Sequence, residues 1–344
     1  MKFEAVTIKD IAKALGLSTS TVSRALRDSY EISEDTKKLV KEYATSINYR
    51  PNPIALSLKE KRSRSIGVIV CEIANSFFSQ IINGIESIAY DQGYNVTISQ
   101  SHESFEREVL DVSHMASRSI DGLLISVSAE TQNFDHLKKL HAQGLPIVFF
   151  DRIVHEIATH KVTTNNASGA YAATTHLIEN GYRRIANLAA ADYMTITQER
   201  LSGYRSALAD KGIAYDERLV KHCTHGGMLE QEVQTALDDL FAQPQKPDAI
   251  VASADKLTTN CLRYLHKNGI TVPDDIALVG FSNSDLTELL SPPLTIVKQP
   301  AFEIGRQATE MLLQLIEAKR PVKDFEHTVL PAELFIRESS IRKK

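Results

Sequence analysis

Long apolar runs are missing from this 344-residue chain, so no segment reads as a membrane span, which needs about 18 or more apolar residues in a row. The opening Met1-Lys2-Phe3-Glu4 holds no apolar signal segment. The expectation is therefore a cytoplasmic protein that is not exported and has no membrane partner. Cysteine is scarce: Cys71, Cys223 and Cys261 are odd in number, far apart and without a Cys-x-x-Cys pair. They read as reduced, packed thiols. No Gly-x-Gly-x-x-Gly and no Gly-x-x-x-x-Gly-Lys-Ser/Thr occurs, which excludes the common phosphate-cradling loops. Gly280-Phe281-Ser282-Asn283-Ser284 begins like a nucleophile elbow, but its serine is shifted and the final glycine is absent. His222-Cys223-Thr224-His225 puts soft ligands close together without a second cluster, so no metal and no cofactor is expected. No catalytic constellation remains, and the chain does not read as an enzyme.

At this length one core is exceeded, and two or three domains are expected. Net charge hides an asymmetry. Residues 1–62 carry 12 Lys and Arg against 8 Asp and Glu, whereas the remainder carries 27 against 35. A small basic part on a larger acidic body suits a nucleic-acid reader attached to a sensor.

The basic part has a pattern of its own. An apolar-periodic run from Ile8 to Leu15 meets Gly16, and a second begins after Ser18. Thr7 and Asp10 approximate a capping box, Gly16 supplies a left-handed helix end, and Ser18 can cap the second helix. Ala12, Leu17 and Val22 are small or apolar where two short helices must touch. Thr19, Ser20, Ser23 and Arg24 are left on a polar face. This is the layout of a helix-turn-helix with its second helix in the major groove, and also that of an ordinary pair of packed helices. As DNA contacts the pattern offers Thr19, Ser20 and Arg24 at base edges or adjacent phosphates, with Thr7, Thr21 and Ser23 assisting at the backbone.

A third amphipathic helix is expected over 33–47, with Leu39, Val40, Tyr43, Ala44 and Ile47 on one face. Tyr49-Arg50-Pro51-Asn52 and a basic linker follow. Together with Val6-Thr7-Ile8-Lys9-Asp10-Ile11-Ala12 and Thr21-Val22-Ser23-Arg24, these segments resemble the lac/gal repressor family of bacterial transcription regulators. The resemblance implies a DNA-binding domain at 1–50 and a hinge helix and linker at 51–64, with Asn52, Ala55 and Leu58 as further DNA contacts. Leu58 would be the apolar wedge entering the minor groove. Leu56 departs from the Arg or Gln common there.

From Ser65 onward seven continuous apolar runs alternate with helical segments, from Ile66-Gly67-Val68-Ile69-Val70 to Ile276-Ala277-Leu278-Val279-Gly280. Such strands form parallel sheets covered on both faces, either one large sheet or two smaller ones. The resemblance implies the second. The fold class is then α/β, an N-terminal helix-turn-helix head plus a two-lobed, periplasmic-binding-protein-like body with parallel sheets. The effector-binding and dimerisation body would span 65–344. One lobe would take about 65–161 and 296–322, the other about 162–293 and 325–340, with crossings near 161–165, 293–297 and 322–325. Ligands of such folds sit at the carboxyl ends of strands, between the halves.

The resemblance also places the effector contacts. Phe77 and Phe78 stand where the family has an aromatic pair, with Ser76 in place of a proline. Arg152 follows the fourth strand. Arg200, in Arg200-Leu201-Ser202-Gly203-Tyr204, is the position that commonly holds ligand oxygens. A five-donor planar fork suits sugar hydroxyls or a carboxylate. Asn165, His225, Lys256, Ser282 and Asn283 complete the set. Here Asn165 and Ser282 replace two carboxylates of the family pattern. An arginine kept and carboxylates lost predict a sugar derivative that is anionic. The whole reads as a repressor working at the nucleoid on double-stranded operator DNA, as a homodimer controlled by a sugar-like effector. A periplasmic-type sugar binder without DNA function is the alternative.

Overall fold

The computed structural model describes residues 6–49 and 62–342, so Asn52, Ala55 and Leu58 lie outside the described residues. The chain forms two compact units divided between Arg64 and Ser65.

The head contains α1 (Ile8–Leu15), α2 (Thr19–Ala25) and α3 (Glu34–Ser46). Its helix ends are built from local chemistry. The Thr7 amide and hydroxyl both donate to Asp10 Oδ2, at 2.8 and 2.7 Å. Gly16 ends α1 at φ 66°, where a β-carbon would be strained. Ser18 Oγ accepts from the Thr21 amide at 3.0 Å and opens α2. Ile11, Ala12, Val22, Ala25, Val40 and Ala44 form the buried core of this unit. Leu39, expected on that face, is 50 % exposed. It precedes the buried Val40 by one residue, a step of about 100° around the helix that turns it to solvent.

The body holds two six-stranded sheets. In chain order its elements are β1 (Ser65–Val70), α4 (Ser76–Asp91), β2 (Asn95–Gln100), α5 (Phe105–Ser117), β3 (Gly122–Ile125), α6 (Asp135–Ala142), β4 (Ile147–Phe150) and β5 (Lys161–Thr164). Then come α7 (Asn166–Glu179), β6 (Ile185–Ala189), α8 (Thr195–Asp210), β7 (Val220–His222), α9 (Glu230–Phe241), β8 (Ala249–Ala252), α10 (Asp255–Lys267) and β9 (Ala277–Phe281). The chain closes with β10 (Thr295–Lys298), α11 (Ala301–Glu317), β11 (His327–Leu330) and β12 (Glu333–Phe335). The first sheet runs β11-β5-β4-β3-β1-β2 and the second β12-β10-β9-β8-β6-β7. Every pairing is parallel except β10 with β12. The Val/Ile/Leu-rich strands are buried on both faces, as helix-covered parallel sheets require.

The chain crosses between lobes three times. The first crossing follows β5, where Asn165 caps α7. The second was expected at 293–297, but β10 pairs wholly within the second sheet, and the chain crosses at Gln299 and Pro300 before α11 packs in the first lobe. The third was expected at 322–325, but β11 extends the first sheet beside β5. Pro331 has no N–H to continue that ladder, and the chain passes to β12 in the second sheet.

In each lobe one helix pair packs at backbone contact. A β-carbon on Gly84 would stand 2.0 Å from the Phe302 carbonyl oxygen, and one on Gly305 would stand 2.1 Å from that of Ile81. Gly203 does the same for α8 on α7, 2.0 Å from the Ala167 carbonyl oxygen. Among the described residues no helix is long and apolar enough to cross a membrane. The contact is against backbone, which cannot rotate away, so Gly305→Ala must push α4 and α11 apart. Urea unfolding is expected to show a loss of about 2–3 kcal/mol, at the upper end of overpacking costs.

Candidate functional site

Two sets of side chains stand out, one on each unit. On the head, Thr19, Ser20 and Arg24 are exposed on α2, and Thr21 and Ser23 are half-buried beside them. Ser18 Oγ lies 2.7 Å from Ser20 Oγ and 2.8 Å from Thr21 Oγ1, so the hydroxyls form one chain at the helix start. Arg27 turns back on its own helix, donating to the Ser23 carbonyl at 2.9 Å and to Ser23 Oγ at 3.1 Å. Arg24 pairs with Glu31 at 2.8 Å. Thr7 is exposed and engaged in its cap. The polar face is thus a row of hydroxyls ending in a guanidinium, carried on a rigid three-helix core.

On the body, an open cleft lies between the two lobes at the carboxyl ends of the strands. Phe77, Phe78, Arg152, Arg200, Lys256, Ser282 and Asn283 all line it. Phe77 and Phe78 meet edge to face, with ring centroids 5.2 Å apart, and Asn75 Oδ1 caps their helix through the Phe77 amide.

Arg200 is only 5 % exposed. Its Nε donates to Asn166 Oδ1 at 2.9 Å, one terminal nitrogen to the Ser253 carbonyl at 2.6 Å, and the other to Gln299 Oε1 at 3.3 Å. The guanidinium carbon lies 4.3 Å from the centroid of the Phe281 ring. Burial pulls its pKa down to about 10, which leaves it charged at neutral pH. Among the described residues its hydrogen-bond partners are all neutral.

The other cations of the cleft are matched. Both terminal nitrogens of Arg152 bond the Glu103 carboxylate, and one lies 3.2 Å from Cys71 Sγ. Burial alone would raise the Glu103 pKa, but the Arg152 charge and hydrogen bonds hold it below its ordinary value. Lys256, on the second lobe, reaches Glu72 on the first at 3.1 Å.

Asn165 and His225 do not belong to the cleft. Asn165 is exposed, and its side chain caps α7 by accepting from the Ser168 amide at 3.0 Å. The neighbouring Asn166 is the one turned inward to Arg200. His225 pairs with Glu232 at 2.7 Å, and the left-handed turn at Gly226 and Gly227 brings Gly226 and Met228 to the cleft instead. Asn283 lines the cleft, but its side chain is spent on the fold. Its Nδ2 donates to Gln80 and to the Gln299 carbonyl, and its Oδ1 accepts from the Gln299 amide.

Four carboxylates also line the cleft: Glu72, Glu103, Asp151 and Asp255. The premise of a cleft emptied of carboxylates is therefore overturned. Asp255 receives a hydrogen bond from Ser282 Oγ, so a carboxylate stands beside the position where the sequence appeared to have lost one. The usable signal is placement: Asp151 directly follows β4, and Asp255 opens α10 three residues after β8. Burial raises the pKa of both.

A helix-turn-helix head on a two-lobed body with an interlobe cleft defines a DNA-binding regulator read through a small molecule. Residues 7–52 match the description "Bacterial regulatory proteins, lacI family", and residues 174–340 match "Periplasmic binding protein-like domain". The chain is 33 % identical over 317 residues to the HTH-type transcriptional repressor PurR of Vibrio campbellii, covering 92 % of this chain and 94 % of that one. It is 32 % identical to CytR, an HTH-type transcriptional repressor of Escherichia coli, covering 98 % of this chain and 96 % of CytR. The solved complex of the transcriptional regulator CelR with cellobiose matches at 29 % identity and a TM-score of 0.71, over 97 % of this chain and 99 % of that one. The chain belongs to the lacI family of bacterial regulatory proteins; it is a transcriptional regulator and not an enzyme.

Asp151 yields a test of these electrostatics. Its carboxyl is buried, its pKa is raised, and its backbone is left-handed at φ 58°, a conformation asparagine also accepts. A folded pKa above the unfolded one makes the charged carboxylate a cost to the ligand-free fold near neutral pH. That cost vanishes as the pH falls through the folded pKa toward the ordinary carboxylate value. Asp151→Asn is expected to raise the melting temperature of the ligand-free protein at pH 7. The gain should shrink steadily in scans taken at progressively lower pH.

Proposed function

We propose that the chain is a repressor that binds two-fold operator DNA as a homodimer in the cytoplasm. Its affinity for the operator is set by a neutral, polyhydroxylated ligand of sugar size held between the lobes. The observation that carries the ligand class is the mixture of groups in the cleft. Arg200 supplies donors, Asp151 and Asp255 supply acceptors, and Phe77 and Phe78 supply apolar faces. Hydroxyl groups both donate and accept, so they suit such a mixture. A bound acid would meet Asp151 and Asp255 as well as Arg200. The cellobiose of the CelR complex is a ligand of the proposed kind.

The ligand acts by its differential affinity for closed and open arrangements of the lobes. Among the described residues polar contacts already bridge them, Lys256 with Glu72, Tyr193 OH to the Ala129 carbonyl at 2.9 Å, and Gln80 with Asn283, and Ala129 packs on Ala190, Ala191 and Met194. On the head, Thr19, Ser20 and Arg24 would read bases, with Thr7, Thr21 and Ser23 at the phosphates. Asn52, Ala55 and Leu58 would contact the minor groove.

The ligand class is tested by a thermal-shift screen of neutral sugars, sugar acids and sugar phosphates. A neutral sugar at about 100 times its Kd is expected to stabilise the body by about 2.7 kcal/mol. Arg200→Ala should remove that shift and the effector response while leaving ligand-free operator binding intact. A sugar acid or phosphate that stabilises more than every neutral sugar would reject the class. Assembly is tested separately. Light scattering at micromolar concentration should give twice the 38.2 kDa chain mass, and a stable monomer or tetramer would reject the dimer.

A further inference from the structure

The loop between α2 and α3 carries a carboxylate to the recognition face, and its backbone is fixed at both sides of that residue. The amides of Arg27 and Ser29 donate to the Arg24 carbonyl at 3.2 and 3.1 Å, folding the loop against the end of α2. The Ile32 amide donates to the Ser29 carbonyl at 3.2 Å, Ile32 packs on the head core, and Ser33 caps α3. Residue 31 is thereby presented to α2, and Glu31 reaches a terminal nitrogen of Arg24 at 2.8 Å. Both side chains are about half exposed, so the pair adds little to folding stability. Among the described residues the other ion pairs of the head link Lys37 with Glu34 and Lys41 with Asp28, and neither involves a residue of α2. Arg24 is the cation of α2, and a carboxylate from outside its helix pairs with one of its terminal nitrogens.

We propose that Glu31 is a positioning residue for base readout. It fixes the Arg24 guanidinium in the orientation that meets one base pair, and its own charge weakens binding to unrelated DNA. The proposal rests on the reading that Arg24 contacts a base. An arginine fork ordered before contact loses less rotamer freedom on binding, and bidentate recognition of a guanine depends on that orientation. A carboxylate on the DNA-facing side is repelled by every phosphate, whatever the sequence. The two effects act in opposite directions on specific and non-specific binding, so together they widen the ratio between them.

The test uses the full chain and a duplex selected from a randomised pool by the wild-type protein. Affinities are measured for that duplex, for each single base-pair change, and for a scrambled duplex. Arg24→Ala should lose preference at one symmetric pair of positions. Glu31→Ala should lose preference at the same positions by about threefold to tenfold. It should also bind the scrambled duplex about twofold to fivefold more tightly. The double variant should match Arg24→Ala at those positions, because Glu31 acts through Arg24. If Arg24→Ala keeps every base preference, the reading of Arg24 fails. If that variant behaves as expected but Glu31→Ala keeps or sharpens the preference, the positioning role is overturned. A double variant that loses preference beyond Arg24→Ala would overturn it too.

Discussion

A guanidinium taken out of water must find acceptors for its protons, and Arg200 finds them in three separate parts of the body. Asn166 opens the helix after the first crossing, Ser253 follows a central strand of the second sheet, and Gln299 sits on the second crossing. One buried cation thus joins two of the three crossings to the floor of the cleft. A displacement of any partner would leave a charged donor unpaired in a dry site, which costs far more than the loss of one surface hydrogen bond. The cleft and two of the crossings share this side chain.

The other charges of the cleft follow a different rule. Arg152 with Glu103 and Lys256 with Glu72 neutralise each other, whereas among the described residues the Asp151 and Asp255 carboxylates each receive a hydrogen bond from one serine hydroxyl. Burial disfavours their charged forms. They are held at some cost in the ligand-free protein. Such residues are expected where a site is built for a ligand rather than for stability.

Much of this was legible along the chain, because the signals were local. Thr7, Gly16 and Ser18 announced the helix ends, and seven apolar runs announced the buried strands. The strands that escaped notice, such as β7 and β12, are short edge strands whose pairing comes from a distant neighbour rather than from their own hydropathy. The crossings at Gln299 and Pro331 were misplaced for the same reason: which sheet a strand joins is a tertiary fact. In the cleft, Phe77 and Arg200 carried local patterns. Glu72, Glu103 and Asp151 come from three different loops and Asp255 from the start of α10, and only the folded sheets bring them together. Asn165 and Asn166 differ by one position, and the helix cap decides which of the two faces Arg200.

The three crossings bear on the order in which the protein can be made. The first sheet has β5 in place by residue 164, but its edge strand β11 is supplied only by residues 327–330, and α11, which fills its core, only by residues 301–317. A chain emerging from the ribosome can therefore assemble much of the second lobe while the first still lacks a helix and a strand. Synthesis at roughly 5–20 residues per second leaves that first lobe incomplete for roughly 10–30 seconds. The lobe that is encoded first is complete only at residue 330, a few residues before β12 closes the second sheet.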